Sequence, residues 1–239
     1  MANPVSSISV QKIVDRISDA FSVFDFSYII SGGCTFLLLY ADLTLIHEFR
    51  LAIDNTFILI LVGIFLSYIC GLIVWPLGRF LRSLLCFCYV FPDKEEDFKE
   101  VYNQTTTELG TNFKLPDGLR NGSDKERVAF SYMWSWLQTK VGDVPELHEK
   151  IRLIDRYWVM QAVYEGMMGV SFIAIFILID FYMYVNNDEV VNEIGFIFLI
   201  KIAFILDVFC LFVFAKEARS YARTQVRDLI VLYYLHSQS

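Results

Sequence analysis

The sequence predicts an all-α, polytopic membrane protein: four transmembrane helices, with a helical cytoplasmic insert between helices 2 and 3. Three observations predict it. The 239 residues are 56% hydrophobic with a mean hydropathy of +0.48, more apolar than a soluble core requires. Four apolar runs are long enough for a bilayer core of roughly 30 Å, which takes about 20 helical residues to cross. The basic residues fall almost entirely on one side of those runs, as the positive-inside rule demands.

Residues 1–25 are expected to form a cytoplasmic amphipathic helix. Ile8, Ile13, Val14, Ile17 and Phe21 share one face, with Lys12, Asp15, Arg16 and Asp19 elsewhere, so a helix from Ser9 to Phe24 lies along the membrane surface or packs on the insert. The segment lacks the charged start, apolar middle and cleavage site of a secretory signal. Residues 26–91 hold the first two spans. Span one runs from Phe26 to Ile46. Span two starts at Thr56 and stays apolar to Phe91, too long for one perpendicular crossing; Pro76, with Gly71 and Gly78 around it, is the natural place for a kink or an exit.

Residues 92–157 form the insert. A helix opens at Pro92 and ends near Leu109 with Gly110 as its cap, and Lys114 to Gly122 reads as a loop. The capping box Ser123-Asp-Lys-Glu126 starts a second helix that ends near Lys140. Another helix starts at Pro145 and nothing breaks its pattern before Tyr184, so the third span, from Trp158, continues a helix of which about half stands above the membrane. The fourth span runs from Ile194 to Ala215 within residues 158–215, and the short acidic loop Asn186 to Glu193 forces the last two spans into an antiparallel hairpin. Residues 216–239 continue as a basic cytoplasmic helix to about Leu235.

With the N-terminus inside, eighteen of the twenty Lys and Arg lie on the inner side; Arg50 lies outside and Lys201 within a span. Both termini and the insert are therefore cytoplasmic, and the bacterial inner membrane is the expected location. The insert carries 13 acids and 10 bases with few apolar positions. About 65 such residues cannot make an independent core and must lean on the protruding helices. The net charge of −7 argues against direct nucleic-acid binding. Five cysteines, all in or beside apolar runs, fit a reducing compartment.

Ionisable residues within spans are the candidate polar site, because burying charge in hydrocarbon is costly. They are Glu165, Asp180, Lys201 and Asp207. Antiparallel pairing sets Asp180 about one turn from Lys201, an expected ion pair, whereas Asp207 is nearest mid-bilayer with Ser171 or another subunit as its candidate partner. Gly32, Gly33, Gly166 and Gly169 are candidate packing residues, since small side chains let helices approach closely. Arg219, Arg223 and Arg227 recur every fourth residue after the last span as a candidate contact for anionic lipid or an acidic protein. His47, His148 and His236 have no second ligand at metal spacing, and phosphate-loop and nucleophile-elbow motifs are missing, so no enzyme, cofactor or metal is expected.

The layout, with Asp25-Phe-Ser-Tyr-Ile-Ile-Ser-Gly-Gly33 opening span one, Tyr68-Ile-Cys-Gly71 leading to a basic stretch, and Ala218-Arg-Ser-Tyr-Ala-Arg-Thr-Gln-Val-Arg227 after span four, resembles bacterial four-helix membrane proteins, some of them encoded beside phage-defence genes, and the Kiwa membrane subunit has a similar outline. The resemblance implies a membrane subunit in phage defence. The expected function is a non-enzymatic, homo-oligomeric scaffold that presents its helical cap to a cytosolic protein. The alternative is an oligomeric channel or membrane-disrupting effector with a pore lined by Asp207, Lys201 and Asp180.

Overall fold

The computed structural model describes residues 23–46, 55–88, 94–110, 125–140, 145–187 and 194–237. The amphipathic helix expected before residue 23, the loop at 114–122 and most of the acidic loop between the last two helices lie outside them. The described residues form six α-helices: α1 Val23–Leu45, α2 Thr56–Phe87, α3 Lys94–Leu109, α4 Lys125–Lys140, α5 Pro145–Asn187 and α6 Ile194–Ser237. Four of them, α1, α2, α5 and α6, are long and apolar enough to cross a membrane.

Local chemistry explains the ends. Asn55 caps α2, its Oδ1 accepting from the backbone N–H groups of Phe57 at 3.0 Å and Ile58 at 3.3 Å. Gly110 closes α3 with φ of +73°, a left-handed conformation that a Cβ would strain. Pro76 does not end α2: the helix passes through it to Phe87.

α1, α2 and α5 meet backbone to backbone. A Cβ on Gly32 would collide with the Ser67 carbonyl, one on Gly71 with that of Tyr28, one on Gly78 with that of Glu165, and one on Gly169 with that of Val74. Gly166 faces Ser31, whose Oγ would sit 2.6 Å from a Cβ. Gly33 sets nothing, since only Ser67 Oγ lies near, at 3.8 Å. Gly32, Gly166 and Gly169, three of the four packing candidates, thus serve close approach inside one chain. Ser27, Ser31 and Thr35 are buried on α1, where the Ser31 and Thr35 hydroxyls donate to the carbonyls four residues back at 2.9 and 3.0 Å. The Ser31 and Thr35 hydroxyls are thus satisfied within their own helix.

α6 joins this group through α5, and Leu81, Met168 and Ala215 form a small buried cluster where α2, α5 and α6 converge. Beyond it, at one end of the molecule, α5 and α6 continue without a break into a second core. That core combines Val101 and Tyr102 of α3 with Ala129, Met133 and Leu137 of α4, and with Leu147 and Ile154 of α5 and Leu229 and Ile230 of α6. At 1.5 Å per residue, α5 and α6 are each about 65 Å long. The short helices therefore form a cap built on the polar halves of the two long ones.

Candidate functional site

Two buried ion clusters mark the junction between cap and apolar helices. In the first, Glu165 of α5 is 2% exposed and Arg82 of α2 is 5% exposed. Arg82 Nη1 donates to Glu165 Oε1 at 2.9 Å, Gln161 Nε2 donates to the same oxygen at 3.2 Å, and Arg79 Nε lies 3.9 Å from Oε2. Helical spacing assembles the cluster: Arg79 and Arg82 are one turn apart on α2, as are Gln161 and Glu165 on α5. Arg79 also lies over the Trp75 ring, 4.8 Å from its centroid.

In the second cluster Asp97 of α3, 5% exposed, is held by two arginines of α6. Arg219 grips it as a fork, Nε donating to Oδ2 and Nη2 to Oδ1, both at 3.0 Å. Arg223 Nη1 donates to Oδ1 and also reaches Glu100 Oε2 at 3.2 Å. Bidentate geometry makes this a strong and directional contact. Arg219 and Arg223, read from the sequence as facing lipid or a partner, are instead the clamp that fixes α3 to α6. Arg227, the third of the series, stays exposed beside a polar groove of about 350 Å³ between α3 and α6. A cleft of about 200 Å³ lies between the two clusters, with Arg82, Asp97, Trp158, Gln161, Arg223 and Gln225 among its walls.

The remaining candidates do not join these clusters. Asp207 lies beside Ser171, within hydrogen-bonding reach of its side chain, as antiparallel pairing of the two long helices anticipates, while its Oδ2 is buried without a partner among the described residues. The expected Asp180–Lys201 pair is not formed: both side chains are exposed and no ion pair joins them. On a helix that turns about 100° per residue, Asp180 lies about 160° from Leu178 and Tyr182 and about 100° from Ile179, the α5 residues beside Lys201. It points away from α6, so matching depth did not bring a matching face.

Among the described residues no three His, Cys, Asp or Glu side chains come together as a metal site. The clusters offer acids already neutralised by arginine, suited to holding helices together. The sequence reading missed Arg82 and Asp97. A signal existed: a carboxylate at Glu165 within an apolar run requires a cation at its own level, and Arg82 is the nearest basic residue at the equivalent end of α2. No protein-family model, curated protein or solved structure matches the chain.

Proposed function

We propose that the chain is a non-enzymatic, self-associating membrane subunit, oriented with its cap and both termini in the cytoplasm, that holds the cap rigidly for a soluble protein partner. One observation carries this reading: α5 and α6 pass unbroken from apolar segments into the core of the cap, and Asp97 locks α3 to α6 at the boundary. A tilt or rotation of either long helix is then delivered to the cap without an intervening hinge. The segregation of basic residues supports the orientation. The likeness in layout to phage-defence membrane subunits supplies a biological setting, testable by phage challenge of cells with and without the chain.

A pore lined by Asp207, Lys201 and Asp180 is less well supported. Within one chain the three do not face a common path, because Asp207 turns toward Ser171 while Lys201 and Asp180 face outward on different sides.

A photo-crosslinking residue at Val128, half exposed on α4, tests the scaffold reading in living cells. A soluble protein should be captured from wild type and lost when Arg219→Glu and Arg223→Glu release α3. Ion currents from purified protein, with no captured partner, would count against it.

A further inference from the structure

We infer that a second copy of this chain docks beside the first in the membrane through an ion pair between Asp180 of one subunit and Lys201 of its neighbour. The inference rests on the self-association proposed above and specifies its contact.

Two full charges lie in apolar helical segments with no partner in their own chain among the described residues. Asp180 is flanked on α5 by the exposed Phe176, Ile179 and Met183. Lys201 lines an apolar groove of about 400 Å³ with Leu178, Ile179, Tyr182, Ile200, Phe204 and Ile205, Ile179 forming its edge on the side toward Asp180. Asp180 lies seven residues before the end of α5 at Asn187, and Lys201 seven residues after the start of α6 at Ile194. Both are thus about 10 Å from the end remote from the cap, and their depths match. An unpaired charge at that depth is unfavourable, and the usual remedy is pairing or exposure to water.

An anionic lipid headgroup could meet Lys201, but it would leave the Asp180 carboxylate alone in hydrocarbon. A second copy satisfies both charges with one contact. The geometry also sets the symmetry. Asp180 lies about 160° around α5 from Leu178 and Tyr182 and about 100° from Ile179, the α5 walls of the Lys201 groove, so the two charges do not share a face and neither a pair within the chain nor a single two-fold patch joins them. A head-to-tail contact can, and repeating it gives a closed ring where the rotation closes. Phe176 and Met183, exposed beside Asp180, supply apolar side chains to enter the groove beside Lys201.

A zero-length crosslink on the unmodified protein tests this. Isotopically light and heavy full-length chains are expressed separately, purified in mild detergent, mixed until their subunits exchange and treated with an apolar carbodiimide. The reagent activates the Asp180 carboxyl; the Lys201 amine attacks it, an amide forms, and the reagent takes up the elements of water and leaves as its urea. A crosslinked peptide joining Asp180 of one isotope to Lys201 of the other is expected, and it should vanish in Lys201→Gln. In native mass spectrometry, Asp180→Lys should weaken assembly more than about tenfold, and Asp180→Lys with Lys201→Asp should restore it. Assembly that survives Asp180→Lys without the mixed crosslink overturns this contact and leaves self-association standing. A wild-type chain that is monomeric throughout overturns both. Restoration by the double swap also separates a lost contact from a misfolded single variant.

Discussion

Glu165 and Arg82 show how strongly one residue can depend on another far away in sequence. Each is almost fully buried, and each neutralises the other across a 2.9 Å interhelical hydrogen bond between residues 83 positions apart. Removing one partner strands the other's charge, which in buried pairs typically costs about 3–5 kcal/mol. Arg82→Met is therefore expected to lower thermal stability in detergent far more than Arg79→Met, whose guanidinium is half exposed and 3.9 Å away. Arg82→Met combined with Glu165→Leu should recover much of the loss, because an apolar pair of similar size leaves no charge behind. Tyr102 gives a residue-scale test in the cap. Burial, with the nearby charge of Glu126, pushes its phenol from 10.0 up to about 12. A folded value above the unfolded one means that the neutral form is favoured by the fold. Its contribution is complete below pH 10.0 and is lost as pH rises toward about 12. Tyr102→Phe should move the alkaline unfolding midpoint of the cap upward, as read by circular dichroism.

At the scale of elements, the glycines divide into those that set helix spacing and those that do not, and this makes a matched comparison. Gly78→Ala drives a Cβ into the Glu165 carbonyl and should destabilise by about 1–3 kcal/mol as α2 and α5 are forced apart. Gly63→Ala meets nothing within 4 Å and should be neutral or raise stability by up to about 1 kcal/mol, since alanine is the better helix former. Equal losses in the two variants would remove the argument for backbone contact. The helices themselves were legible because apolar run length, the Gly110 cap and the Pro145 start are local signals, and all six described helices fall where those signals put them. Their mutual faces were not. Gly32 and Gly33 are adjacent and identical in composition, yet only Gly32 packs against the backbone of Ser67, while Gly33 has room for a Cβ. The pairing of Asp97 with Arg219 likewise spans 122 residues. Hydropathy places a residue at a depth, whereas the azimuth of each helix is set by packing that no single segment encodes.

For the whole molecule, the test is between a rigid relay and a conducting path, and Asp207 and the Arg219–Arg223 pair separate them. First the orientation: a cysteine label at Asn187 should react from outside intact cells and one at Asn121 should not, the reverse pattern overturning the proposed sidedness. Given that orientation, Asp207→Asn keeps the size of the side chain and can still accept from Ser171, so in a scaffold it should leave assembly and partner capture intact. Arg219→Glu with Arg223→Glu places two acids beside Asp97 and Glu100, breaks the fork that holds α3, and should abolish capture while the apolar helices remain assembled. A pore predicts the opposite order. Asp207→Asn would then change conductance or cation selectivity in planar bilayers, and the arginine reversals would leave current unaltered. The scaffold is the better supported because Asp207 is turned into the α5–α6 contact and has Ser171 beside it. The arginines, by contrast, tie the short helix α3 by charge to the long helix α6. Reproducible single-channel currents from purified wild type that disappear in Asp207→Asn would overturn the relay.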